Sequence, residues 1–222
     1  DKSGSTILDG EGSQYGFEGT GNITLNGLVI QNYINSALYW APAITHSLLE
    51  VSNCTFVGNQ GDKGGALWLE PTAGVKAVVN ASFIGNVANG YGGAIYALAS
   101  VEASNFTLKI GANAQFVNNT AARSGNGDGG AIYAEASGQG STSTLTIGDN
   151  AQFVNNTAAV SGNGAGGAIC AEATGDSSTS TLTIGDNAQF VNNTAAVSEI
   201  GAGGAIYAAA SASSSTSTLT ID

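Results

Sequence analysis

Apolar and polar residues follow one another along this chain in short bursts, and the bursts recur. In one of them Leu and Ile alternate with Thr, as in Thr144, Leu145, Thr146, Ile147, which puts the apolar side chains on one face of a strand and the threonines on the other. Equivalent apolar pairs are Leu108/Ile110, Leu182/Ile184 and Leu219/Ile221. A second burst reads Asn, two residues, a large apolar residue, two residues, Asn. Its copies are Asn26, Val29, Asn32; Asn53, Phe56, Asn59; Asn80, Phe83, Asn86; Asn113, Phe116, Asn119; Asn150, Phe153, Asn156; and Asn187, Phe190, Asn193. They are spaced by 27, 27, 33, 37 and 37 residues, so a constant segment is joined by a connection that lengthens. A third burst, Gly-Gly-Ala-Ile/Leu, interleaves at 64–67, 92–95, 129–132, 166–169 and 203–206, with a divergent copy at Ser36, Ala37, Leu38. Three short strands per unit follow.

Units that place like residues at like positions are solenoid units. The pattern predicts an all-β right-handed parallel β-helix of three-strand coils, about seven coils long, filling residues 1–222 as a single solenoid. Residues 1–52 form divergent first coils, 53–110 short-loop repeats, and 111–222 near-identical 37-residue repeats. Val29, Phe56, Phe83, Phe116, Phe153 and Phe190 should stack in one interior column. Two positions earlier, on the same face, stand Gly27, Cys54, Ala81, Ala114, Ala151 and Ala188. The two Asn columns read as corner posts, since Asn tolerates the left-handed conformation and its amide can bond to backbone or to its stacked copy. A polar binding ladder is the functional alternative. The paired glycines fit bends of positive φ, and no phosphate-loop Lys follows them.

Composition narrows the function classes. Only 9% of residues are charged, and the net charge is −11. The basic residues Lys2, Lys63, Lys76, Lys109 and Arg123 are scattered, so no patch exists to neutralise phosphates; nucleic acid and anionic membrane are poor partners. No apolar run reaches the roughly 20 residues that span a bilayer, and the start lacks a charged segment followed by an apolar signal core, as expected of a mature or excised fragment. Cys54 and Cys170 lie three rungs apart. At about 4.8 Å per rung that exceeds the roughly 7 Å limit for a bridge, so both should be free.

Phe-x-x-Asn paired with Gly-Gly-Ala-Ile/Leu, as in Phe83 and Asn86 followed by the 92–95 copy, resembles the repeat signature of the chlamydial polymorphic outer membrane proteins and related autotransporter passengers. The resemblance runs from about residue 53 to 206. More weakly, Thr6-Ile7-Leu8-Asp9-Gly10 and the segment 23–32 resemble early coils of pectate-lyase-like β-helices. What the resemblance implies is a secreted, surface-exposed passenger with adhesive function.

Catalysis on such a scaffold needs clustered acids, or acids beside a base or metal. The sole histidine, His46, sits in a segment that departs from the repeat. Asp149, Asp186, Glu70, Glu135 and Glu172 read as solvated, with no Asp-rich calcium loop, so no cofactor and no metal are expected. The ranks Thr144/Thr146, Thr181/Thr183 and Thr218/Thr220 face outward; ordering of ice is conceivable, but earlier units lack the rank. The strongest candidate surface is the column after each Gly-Gly-Ala motif: Tyr39, Trp68, Tyr96, Tyr133, Cys170 and Tyr207. Strand alternation turns it away from the core, giving an aromatic stripe suited to glycan or protein recognition, or else one that stabilises the sheet or lies under the long loop. The expected function is a non-catalytic extracellular adhesin or passenger stalk at the bacterial cell surface, binding a host receptor or glycan. The alternative is a filament subunit stacking end to end on copies of itself, and a polysaccharide lyase or hydrolase comes third.

Overall fold

Every strand pairing in the computed structural model, which describes residues 6–14 and 16–222, is parallel and joins one coil to the next; Lys2 lies outside the described residues. One coil illustrates the path. Thr142–Ile147 and Gln152–Val154 lie in a 12-stranded sheet, Thr157–Ala159 and Gly164–Ala165 in an 8-stranded sheet, and Ile169–Ala173 in a 7-stranded sheet. The next coil re-enters the first sheet at Thr179–Ile184. Seven strands of the third sheet, from Phe17–Gly19 to Ile206–Ala210, count seven coils of a parallel β-helix.

Like residues meet like residues because the pairing offset equals the repeat. Leu108, Leu145, Leu182 and Leu219 are in register, as are Ile95, Ile132, Ile169 and Ile206. Alternation carries these side chains inward and leaves Thr144 and Thr181 half-exposed outside. Phe56, Phe83, Phe116, Phe153 and Phe190 form a continuous stack with ring centroids 5.1, 4.8, 4.7 and 4.8 Å apart and planes within 9° of parallel. Those separations are the spacing of neighbouring strands, so the backbone sets the ring distance. Phe56, Phe83, Phe116 and Phe153 have no solvent exposure.

The second Asn column is a buried hydrogen-bond ladder. The Asn86 side chain donates to Phe56 O at 3.0 Å and to Asn119 Oδ1 at 3.1 Å. Its own Oδ1 accepts from the backbone N and from Nδ2 of Asn59, both at 3.1 Å. Both amide protons and both acceptor sites are thereby used. Asn119 and Asn156 repeat the arrangement, and Asn193 donates to Phe153 O at 2.9 Å. Asn59, Asn86, Asn119 and Asn156 are fully buried. The first Asn column behaves differently. Asn53, Asn113, Asn150 and Asn187 take φ of 52 to 59° at bends, whereas Asn80 lies inside the unbroken ten-residue strand Val75–Ile84.

The opening unit is out of phase with the expected columns by one residue. Ile30, not Val29, pairs with Phe56 and is fully buried. Gly27, with φ of 70°, takes the bend, Asn26 precedes it in a strand, and Tyr33 takes the ladder position by donating its N–H to Asn59 Oδ1. Asn32, with φ of 61°, therefore corresponds to Gly58 rather than to Asn59. Asn89 pairs with Ala122 and Tyr91 with Asp128, so the residues that lengthen the unit from 33 to 37 lie between Ala122 and Asp128, flanked by strands Thr120–Ala122 and Gly127–Asp128. The Gly-Gly corners admit no side chain. A Cβ on Gly92, where φ is 60°, would stand 2.0 Å from Ile95 O, and one on Gly93 would stand 2.1 Å from Gly130 O of the next coil. Cys54 and Cys170 are free and buried.

Phe116→Ala should cost about 3–5 kcal/mol through lost burial and a residual cavity, read as a lower denaturation midpoint. Asn119→Ala leaves Asn86 N, Asn86 Nδ2 and Phe83 O without their partner. At about 1–3 kcal/mol for each orphaned group, it should destabilise at least as much as the Phe substitution despite removing a smaller, polar side chain; a near-neutral midpoint would show that the ladder is dispensable.

Candidate functional site

The column of Tyr39, Trp68, Tyr96, Tyr133, Cys170 and Tyr207 runs in strict register along the outer face of the 7-stranded sheet. Two residues further along each strand, on the same face, Leu98, Glu135, Glu172 and Ala209 form a second column, with Glu70 before them. Outward from the main core does not mean solvated, however. Tyr96 is 3%, Tyr133 4% and Cys170 0% exposed, and with Leu98 they form a second apolar cluster. The column is thus covered at these positions, one of the two placements its sequence allowed, while Tyr39, Trp68 and Tyr207 remain half-exposed.

A wall from the 8-stranded sheet causes the burial. Lys63, Tyr91, Asp128, Ala165 and Ala202 stack in register immediately before each Gly-Gly corner. The corner turns the chain so sharply that Lys63, Tyr91 and Ala165 lie against the aromatic column. Tyr91 lies 6.4 Å from Tyr96 and 4.9 Å from Tyr133, centroid to centroid. Tyr96 and Tyr133 stack at 5.6 Å with planes 4° apart, while Trp68 meets Tyr39 and Tyr96 edge-on at 5.0 and 6.5 Å. Ala165 and Tyr207 pack against the cluster from the later coils. The result is a shallow groove along the helix axis, with one aromatic residue, Tyr91, in its wall and a floor that is closed over at Tyr96, Tyr133 and Cys170 and half-exposed at Tyr39, Trp68 and Tyr207.

Carboxylates punctuate this groove. Trp68 Nε1 donates to Glu70 Oε2 at 3.0 Å, Tyr133 O–H donates to Glu172 Oε2 at 3.0 Å, and Thr174 O–H donates to Glu135 Oε1 at 2.5 Å. Asp128 Oδ1 accepts from the Ala165 backbone N at 2.8 Å. The sequence reading of Glu172 as solvated is corrected here. Burial raises its pKa above the ordinary 4.5, with further upward pressure from Asp128 and Glu135, against a lowering by the Tyr133 hydrogen bond. Asp128 is raised by burial as well. Burial and the same acids push the Tyr91, Tyr96 and Tyr133 hydroxyls upward, and the Cys170 thiol well above its ordinary value. The phenols and the thiol are therefore neutral at pH 7, and a protonated, buried thiol is a poor nucleophile. Such chemistry suits binding.

The remaining sequence candidates lie elsewhere. His46 is an exposed turn residue with φ of 70°, and Asp149 and Asp186 sit at an exposed bend linked by Asp186 N to Asp149 Oδ1 at 3.1 Å. The wall residues before the Gly-Gly corners were missed by sequence reasoning. Their signal was present: a fixed position directly preceding a positive-φ Gly, occupied in turn by Lys, Tyr, Asp and Ala. Among the described residues no group of three or more His, Cys, Asp or Glu is arranged to hold a metal ion, and no helix is long and apolar enough to cross a membrane.

Stacked parallel coils with one recessed outer face define a repeat scaffold of the β-solenoid class. The family model described as the Chlamydia polymorphic membrane protein repeat matches residues 80–98, 113–135 and 187–209. No curated protein and no solved structure matches the chain.

Glu172→Gln keeps an acceptor for Tyr133 while removing a charge that the site disfavours. A carboxyl whose folded pKa is raised carries no penalty below its unfolded value and a full penalty once the pH passes the folded value. The variant should therefore melt at a higher temperature than the parent at pH 7, and the gain should shrink as pH falls towards 4.5; thermal melts across pH 4–8 test this. A gain independent of pH, or a loss at pH 7, would mean that Glu172 is not disfavoured as an anion.

Proposed function

We propose that this chain is a non-catalytic, surface-exposed passenger that adheres to a partner through the groove of its 7-stranded sheet. What supports the reading is a coincidence of two features. Each segment matching the polymorphic membrane protein repeat contains both the corner that makes the groove and the residues that line it: Tyr91 and Tyr96 in the first, Asp128 and Tyr133 in the second, Ala202 and Tyr207 in the third. The repeat scaffold thus generates a recognition face each time it generates a coil. Half-exposed aromatic side chains on a rigid floor supply contact area at little cost in side-chain freedom, as recognition surfaces do. Its neutral phenols and buried thiol give the groove hydrogen-bonding and packing capacity without an activated nucleophile.

An array of host glycans and matrix proteins, probed with the parent chain and with a Tyr91→Ser/Tyr207→Ser variant, tests this reading. These two rings border the groove and are not part of the fully buried core, so the variant should fold while losing most array binding. Hits that persist undiminished would move the adhesive surface away from the groove; an array on which even the parent finds nothing would remove the adhesive reading.

A further inference from the structure

The sequence holds seven Asn-x-Ser/Thr triplets, and the Asn of every one is exposed. Exposure is not the default for Asn in this coil, since Asn59, Asn86, Asn119 and Asn156 are fully buried. Three of the triplets form one column. Asn118, Asn155 and Asn192 stand at the corner between the 12-stranded and 8-stranded sheets, and two residues after each comes the Thr that opens the next strand: Thr120, Thr157 and Thr194, which pair in register. In the two preceding coils the corner belongs to Gly58 and Gly85, and the strand opens on Gln60 and Val87. Asn and Thr therefore enter the column together, in each of the three later coils.

The bend itself does not call for Asn. Its φ is 61 and 63° at the two glycines and 56, 55 and 54° at the three asparagines, a region that Gly adopts without strain and Asn merely tolerates. Nor does the ladder call for it, because Asn119, Asn156 and Asn193, one residue on, already donate to the buried Phe carbonyls. Among the described residues, the side chains of Asn118, Asn155 and Asn192 make no hydrogen bond, and neither do the hydroxyls of the half-exposed Thr120, Thr157 and Thr194. Each of these coils thus presents an unengaged carboxamide and, two residues on, an unengaged hydroxyl, the pair that transfer of a sugar to Asn requires. The other four triplets lack this setting: Asn22 accepts from Leu48 N, Asn53 donates to Asn26 Oδ1, and Asn80 and Asn105 belong to strands. Immediately before each Asn of the column stands a valine, Val117, Val154 or Val191, in register and open to solvent on the outer face.

We propose that Asn118, Asn155 and Asn192 are N-glycosylated, their sugars forming a column that covers the valine stripe and hydrates a surface poor in charge. In the transfer, Nδ2 bonds to the anomeric carbon of a sugar activated by a phosphate leaving group and gives up one proton to a base of the transferase. The anomeric C–O bond of the donor breaks, and its electron pair leaves on the phosphate. The corner lies across the 8-stranded sheet from the groove, so the sugars leave the groove bare, and the inference does not depend on the adhesive reading. Rungs about 4.8 Å apart give adjacent sugars one ring's thickness each. Single sugars can fill all three positions, while branched chains are confined to Asn118 and Asn192.

Peptide mapping by electron-transfer mass spectrometry, on the whole chain isolated from its native cells, should find sugar on the column. Increments of one sugar identify a nucleoside-diphosphate donor, a single large block a lipid-pyrophosphate donor, and either supports the proposal. Two variants copy the chain's own earlier coils and so keep the fold: Asn118→Gly/Asn155→Gly/Asn192→Gly removes the amides, and Thr120→Val/Thr157→Val/Thr194→Val removes only the hydroxyls. Produced in the same cells and checked by circular dichroism, both should lose the column's sugars, and the Gly variant should melt no lower than the unglycosylated parent. A parent bare at all three asparagines, sugars confined to Asn22, Asn53, Asn80 or Asn105, or a Val variant modified like the parent would overturn the proposal.

Discussion

Neighbouring parallel strands stand about 4.8 Å apart, and in a solenoid of matching units each side chain must tolerate a near copy of itself at that distance. Few residue types do so gladly. Phenyl rings stack, carboxamides donate to and accept from their own kind, and Thr, Ala and Gly neither crowd nor repel. The charged residues do not, which accounts for their share of only 9%. Composition here follows from geometry: a chain that repeats in register writes its columns in self-compatible letters.

Two columns do most of the holding, by different physics. The Phe stack removes large apolar surface from water, and its contribution scales with the area it buries. The Asn ladder contributes through what its absence would expose. Each amide closes a corner by occupying the carbonyl of a Phe one coil back, the N–H of the preceding Asn and the amides above and below. Without these amides the Phe carbonyls and Asn N–H groups at this corner would lose their partners. Where the repeating rule is broken by acids in adjacent rungs, at Glu135 and Glu172, the Glu172 carboxyl is pushed towards its neutral form, by its burial first and by Asp128 and Glu135 in addition. A site that retains such a penalty is a reasonable place to look for function.

Much of this was legible in the chain, because period and pairing offset are the same number. The coil, the buried Phe column and the ladder positions from Asn59 onward all follow from counting. The phase of the first unit did not, since Asn26 and Asn32 reproduce the spacing of the later motif while Gly27 and Tyr33 hold the corresponding places; a one-residue slip in a strand exchanges inside for outside. Strand alternation correctly turned Tyr96 and Tyr133 away from the main core, yet it is a rule about a single strand. Their burial comes from Tyr91 and the other wall residues, brought over by a corner whose sharpness depends on glycine pairs with no room for a Cβ. Contacts made around a corner leave no periodic trace, and the groove could not be counted out of the sequence.

The near identity of the 37-residue units has a consequence for inheritance. Thr142, Thr179 and Thr216 occupy one column, and so do the residues that follow each of them, so the surface that one unit offers its successor is nearly the same at each junction. Removing or duplicating a whole unit in the gene would join surfaces that already fit, with no new core to evolve. Length thereby becomes a heritable variable, adjustable one rung at a time, with each added rung bringing its own junction and its own share of stability.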